Sequence, residues 1–185
     1  MRQQRKVVYM QRMANFSKVS FNRFHDDWLD TFDALKDETD NDKLEKHLRN
    51  IYNGIKLPKR ATAQSAGYDF FSPMSFVLEP NDSIKIPTGI RCEMYDGWTM
   101  LLFIRSSLGF KHGLAMPTSV SVIDSDYFDA DNDGHIMVKL QNNGTQSVRV
   151  NKGDGFVQGV FVPFGITLDD DTTTERTGGI GSTSK

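Results

Sequence analysis

From residue 57 onward the chain is written in short β-branched and aromatic runs, each closed by Gly, Pro, Asn or Asp. No other feature constrains the fold as much. Runs this short suit strands, and turn residues at this density leave little room for crossover helices. The texture predicts an all-β sandwich or barrel rather than βαβ units. Candidate strands fall at residues 75–78, 83–85, 99–104, 119–123, 135–141, 146–150 and 156–163, and Asn142-Asn143-Gly144 predicts a turn between two of them.

The segment before residue 57 has a different period. Phe24, Trp28, Leu29, Phe32 and Leu35, then Leu44, Leu48 and Ile51, recur at helical spacing on either side of Asp37-Glu38-Thr39-Asp40-Asn41-Asp42. Two short amphipathic helices are expected, packed on the main body, because two helices of this length bury little surface by themselves. Residues 1–15 are basic and weakly patterned and read as a disordered extension. The resulting division is 1–15, a mainly helical appendage over 16–56, a β body over 57–168 and a flexible arm over 169–185.

Charge and cysteine content exclude several classes. Residues 1–60 carry 13 Lys/Arg against 9 Asp/Glu, leaving 9 against 15 for the remainder. An acidic body argues against a nucleic-acid-binding surface, although a polyphosphate site can still be locally basic. The single cysteine, Cys92, rules out an internal disulfide framework and suits a reducing compartment. No apolar stretch approaches membrane-spanning length and the first residues lack a signal-peptide core, so a cytoplasmic protein is expected.

Metal readings divide sharply. Asp129-Ala130-Asp131-Asn132-Asp133-Gly134 matches the first half of an EF-hand loop, but its twelfth position, where a bidentate glutamate belongs, is Leu140. A solvated acidic loop between strands accounts for it better. His25, His47, His112 and His135 show no paired ligand spacing, which argues against structural zinc. Magnesium, held by few carboxylates and a substrate's own phosphates, stays open.

The extreme C-terminus places Arg176 ahead of Thr177-Gly178-Gly179-Ile180-Gly181-Ser182-Thr183-Ser184-Lys185. Glycines let backbone N–H groups converge on an anion, hydroxyls add donors, and a guanidinium adds a forked charge. A disordered end has the same composition. If this run binds phosphate, it closes over a site built elsewhere, and four segments fit that demand. They are Ala66-Gly67-Tyr68-Asp69, Arg105-Ser106-Ser107, Val122-Ile123-Asp124-Ser125-Asp126-Tyr127, and Gln158 within Phe156-Val157-Gln158-Gly159-Val160.

Together with the tail, these segments resemble the five ordered motifs of the trimeric dUTPase family, from about residue 57 to 185. Five motifs in order are far more specific than any one of them. The resemblance implies a jelly-roll-like β-barrel (dUTPase-like) with a short helical N-terminal insertion, assembled as a homotrimer with shared active sites. It implies hydrolysis of dUTP to dUMP and pyrophosphate with Mg2+. Asp124 would activate the attacking water, Tyr127 would pack on the deoxyribose and exclude a 2′-hydroxyl, and Asp69 would reach the metal through water. Arg105, Ser106, Ser107 and Gln158 would hold phosphate oxygens, the first three from a rigid strand end. Thr118, Val122, Ile123 and Met137 would complete the substrate pocket. Arg176 would act catalytically on a neighbour's substrate, with Ile180, Gly181, Ser182 and Thr183 closing over the nucleotide.

Four positions depart from the family pattern. Ile180 stands where the tail usually has a phenylalanine on uracil, Ser121 replaces a glycine, Thr118 replaces an asparagine that reads the base edge, and Gly155 replaces an arginine. They bear on base affinity more than on phosphate chemistry. The related dCTP deaminases share an Arg-Ser-Ser segment, but Lys139 stands where their catalytic glutamate belongs. A regulatory binding module is the other alternative, with residues 1–56 as the natural place for a partner protein.

Overall fold

The computed structural model describes residues 10–32 and 41–179. Within them lie twelve strands and three short helices. Strands β1 (Ala14–Lys18), helices α1 (Phe21–Thr31) and α2 (Asn41–Asn53), and β2 (Lys59–Arg60) come first. Then follow β3 (Tyr68–Phe71), β4 (Phe76–Leu78), β5 (Ser83–Pro87), β6 (Ile90–Met94) and β7 (Trp98–Ile104). Helix α3 (Ser106–His112) precedes β8 (Leu114–Ala115), β9 (Ser121–Asp124), β10 (Met137–Asn142), β11 (Val148–Val150) and β12 (Gly155–Pro163).

The strands pair antiparallel in four sheets, and the largest has the order β2-β3-β12-β7-β9. This is the expected all-β, jelly-roll-like body, although no closed barrel forms among the described residues. Alternation builds the core. In β10, Val138, Leu140 and Asn142 turn inward while Lys139 stays outside. Beside them pack Phe70, Ile86, Met100, Leu102, Ile136 and Phe156, all essentially inaccessible. In β12 a bulge between Gly155 and Val157 lets Phe156 and Val157 both point inward, which strict alternation would forbid. Buried Asn142 uses its whole amide: Nδ2 donates to Leu78 O (2.9 Å) and Gln146 O (2.8 Å), and Oδ1 accepts from Gly144 N (2.9 Å). The turn expected there connects strands of different sheets rather than a hairpin.

Both predicted helices form. Ser20 caps α1 by accepting from Arg23 N (3.1 Å), and Phe24 and Trp28 of α1 join Leu48 and Ile51 of α2 in the core cluster. The appendage therefore packs on the body. Strand β1 was not anticipated: it runs along β6, with Phe16 opposite Cys92, so the boundary drawn after residue 15 falls inside it. Phe16 packs against Tyr68, Phe70 and Phe161, and that aromatic cluster holds the strand. Helix α3 was also missed. Arg105, Ser106 and Ser107 do not sit on a rigid strand end: β7 stops at Ile104, and Ser106 and Ser107 begin a helix that ends at left-handed Gly113 (φ 70°).

Candidate active site

Strand β7 carries a different polar cluster at each end. At its beginning Thr99 pairs with Asp124, the last residue of β9, and Thr99 Oγ1 donates to Ile123 O (3.0 Å). At its far end Phe103 and Ile104 pair with Gln158 and Val157 of β12, and Arg105 follows. Arg105 lies six positions after Thr99, and at about 3.3 Å per residue the two clusters lie on the order of 20 Å apart. The sequence-predicted residues are thus brought together as two groups, not one.

The first group surrounds Asp124, whose side chain is 45% exposed. Arg176 Nη2 donates to Asp124 Oδ2 (2.7 Å) and its Nε to Asp126 Oδ1 (2.9 Å), with the guanidinium 5.6 Å from the Tyr127 ring centroid. Sequence expectation put this arm over a neighbour's site. Here Arg176 rests on Asp124 of its own chain, and Asp131 N donates to Thr177 O (3.1 Å). Ile180, Gly181, Ser182 and Thr183 lie outside the described residues. Tyr127 is buried on the short 3-10 turn Ser125–Asp129; its hydroxyl donates to His135 O (2.8 Å) and accepts from Asn132 Nδ2 (2.7 Å). Burial pushes the Tyr127 phenol above its ordinary pKa, so it remains a proton donor.

Beside this group opens a cavity of about 650 Å³, within the range of small-molecule pockets. Thr118, Val122, Ile123 and Met137, all named above as candidate pocket residues, line it together with Ser121, and Thr118 Oγ1 lies 3.2 Å from Ser121 Oγ. Ser121, one of the departures, therefore presents a hydroxyl that a glycine could not. Sequence reasoning missed three further residues. Asp27 of α1 and Asn132 line the same cavity, and His135 supports it from behind. The signal for Asp27 was a carboxylate inside the apolar stripe of α1, between Phe24 and Trp28.

The second group is built on β3 and β12. Asp69 pairs with Gln158 across the two strands, and Arg105 Nε lies 3.2 Å from Asp69 Oδ1. Two glycines make room for it. A Cβ on Gly67 would stand 2.4 Å from Gln158 Oε1, and one on Gly155 would stand 2.6 Å from Arg105 Nη1. Gly155 thereby accommodates the guanidinium of Arg105. Ser106 and Gln158 edge an open cleft of about 450 Å³ together with Phe110, which is 93% exposed. Among the described residues no cluster of three His, Cys, Asp or Glu side chains is placed to hold a metal. Asp69 supplies a carboxylate here, a donor that fits an ion held chiefly by phosphate oxygens and water.

The chain matches the family described as dUTPase over residues 53–184. It is 41% identical over 133 residues to the deoxyuridine 5′-triphosphate nucleotidohydrolase of Lactococcus lactis, spanning 70% of this chain and 89% of that one. To the protein of the same name from Paraburkholderia phymatum it is 36% identical over 138 residues, 70% and 90% of the two chains. The crystal structure of dUTPase from Streptococcus mutans aligns with a TM-score of 0.55 at 40% identity, covering 60% of this chain and 88% of that chain. The chain belongs to the dUTPase family.

Proposed function

We infer that this protein is a dUTP diphosphatase, hydrolysing dUTP to dUMP and pyrophosphate. The observation that carries the reading is the constellation of Asp124, Arg176 and Tyr127, whose neighbours Ile123 and Asn132 line a nucleoside-sized cavity. The deoxyribose packs on Tyr127 and the base enters the cavity between Thr118 and Met137. The Asp124 carboxylate orients a water and takes its proton as the water oxygen bonds to the α-phosphorus. The bond from the α-phosphorus to its bridging oxygen breaks, and pyrophosphate leaves with that electron pair. Arg176 then serves the charge that develops on the phosphates.

Phosphate oxygens need Arg105, Ser106 and Gln158, which lie about 20 Å along β7 from the Asp124 cluster, further than a triphosphate can bridge while keeping its α-phosphorus at Asp124. Each complete site therefore takes its nucleoside end from one copy and its phosphate end from another. A head-to-tail contact forms a ring when the rotation between copies closes, and the homotrimer is the ring we propose. Exposed Phe110 beside the phosphate cluster and exposed Val122 beside Asp124 are apolar surfaces for that contact. Asp69 would hold Mg2+ through water, and the ion would supply neutralisation of phosphate charge.

Among the described residues no helix is long and apolar enough to cross a membrane, and we place the enzyme in the cytoplasm. The test is incubation of purified protein with dUTP, dCTP, dTTP and UTP, with and without magnesium, followed by product identification. Release of dUMP and pyrophosphate from dUTP alone, dependent on magnesium, is expected. Ammonia released from dCTP would contradict it.

A further inference from the structure

Helix α1 lies outside the stretch that matches the family, which begins at residue 53, yet its N-cap residue and two of its side chains grip the loop beneath Tyr127. Ser20 Oγ donates to Asp133 Oδ2 (3.0 Å), Arg23 Nη2 donates to Asp131 O (3.0 Å), and Asp27 Oδ2 lies 2.6 Å from His135 Nδ1. Positions 20, 23 and 27 fall on one face of the helix, so a single element sets the whole of residues 131–135. His135 is completely buried. Its Nε2 accepts from Gly89 N (2.7 Å), so the Nδ1 proton is the one given to Asp27, whose side chain is 16% exposed and also sits 3.5 Å from Arg23 Nη1.

The same loop has two other tenants. His135 O receives the Tyr127 hydroxyl, and Asn132 Nδ2 donates to that hydroxyl and, at 3.4 Å, to His135 O. On its outer side the loop meets the arm. Asp131 N donates to Thr177 O, and a Cβ on Gly179 would stand 3.1 Å from the Asn132 amide carbon, close enough that Asn132 would have to shift. Asn132 Oδ1 is buried with no hydrogen-bond partner. Its amide is nevertheless fixed in orientation by the two donations from Nδ2, and Asn132 also lines the cavity.

We propose that α1 is a positioning element of the nucleotide site: Ser20, Arg23 and Asp27 hold residues 131–135 so that Tyr127 meets the deoxyribose and the arm finds its seat. The proposal rests on the dUTP-hydrolysing reading and adds to it a dependence on a segment beyond the family domain. Asp27 acts through His135 and not on the reacting atoms. Removing its carboxylate strands the Nδ1 proton of a buried ring and frees the carbonyl that anchors Tyr127, which should loosen the sugar gate before it slows chemistry.

The experiment compares wild-type protein with Asp27→Ala, Asp27→Asn, a double Ser20→Ala/Arg23→Ala variant and Asp26→Ala, an exposed neighbour, as control. Three quantities are read: kcat and KM for dUTP, the ratio of kcat/KM for dUTP to that for UTP, and protease protection of the arm by a non-hydrolysable imido analogue of dUTP. Asp27→Ala should raise KM and reduce the dUTP preference, each about tenfold, for a change of about one hydrogen bond. Asp27→Asn, which keeps an acceptor for Nδ1, should recover most of the preference. The surface double variant should lose arm protection and shift KM by about threefold, and Asp26→Ala should match wild type. If Asp27→Ala fails to fold, the surface double variant decides the matter. Folded variants with wild-type KM, preference and protection, or with a lowered Tm alone, would overturn the proposal. A wild-type protein inert towards dUTP would instead overturn the underlying reading.

Discussion

The two ends of β7 differ in how complete they are. The Asp124 end is enclosed: Tyr127 is buried, its hydroxyl is committed twice, and both α1 and the arm close around it. The Asp69 end is open. Phe110 stands almost wholly in solvent, and the cleft beside Gln158 is open. The contrast fits the proposed reading, in which one chain preforms recognition of the nucleoside and leaves the phosphates to be gripped across a contact between copies. Recognition of a flat base and a sugar needs fixed walls, whereas phosphate binding needs charges that converge from several directions.

Asp124→Asn should break the enclosed end most severely, lowering kcat by up to about 10⁴, because an amide takes no proton from water. Binding of the imido analogue should survive, since the amide oxygen still accepts from Arg176; pyrophosphate release and calorimetry check the two halves. Arg176→Ala should cost about 10²–10³ in kcat, the range for losing one donor to developing charge, with KM changing less. Near-normal turnover would remove Arg176 from the chemistry.

Gly155→Ala probes the open end. The new Cβ pushes against the flexible tip of Arg105 and not against backbone, so folding should be kept while kcat/KM for dUTP falls about tenfold. The preference of dUTP over UTP should not change, because the sugar is read at the other end. A lowered preference would show that the two ends are not separable.

The smallest effect concerns a residue belonging to neither end. Burial, with Glu93 adding to it, pushes the Cys92 thiol up to about 12. The folded state holds this proton more tightly than the unfolded chain, so the contribution to stability is complete below the ordinary thiol pKa of about 8.5 and is lost as pH rises towards 12. Alkylation at pH 8 should leave native Cys92 unlabelled and modify it after unfolding. Rapid native labelling would show that β6 opens.

Legibility in the sequence followed how local each signal was. Strands β7, β10 and β12 were readable because apolar residues recur within one run. Strand β1 was not, since Ala14-Asn15-Phe16-Ser17-Lys18 carries one strong apolar residue and owes its state to pairing with β6. Helix α3 was hidden by Gly109, which disfavours helix locally yet sits within contact of Ile104. In the candidate site, Asp124, Tyr127, Arg105 and Gln158 were singled out from motif order, and the fold places them at the two ends of β7. Asp27 and Asn132 were not, because their work depends on a helix from before residue 53 meeting a loop about a hundred residues later. The acidic run at 129–134 looked merely solvated, and only the fold gave its backbone a use, as the seat of Thr177.

Mixing two defective proteins tests the two-copy site most directly. Asp124→Asn removes the enclosed end and Arg105→Ala the open end, and each should be inactive alone. After subunit exchange, a contact between the intact Asp124 of one chain and the intact Arg105 of another should restore dUTP hydrolysis to about a quarter of wild type for random exchange in a ring. No recovery, with exchange demonstrated by mass-tagged subunits, would contradict the account and return both clusters to a single chain.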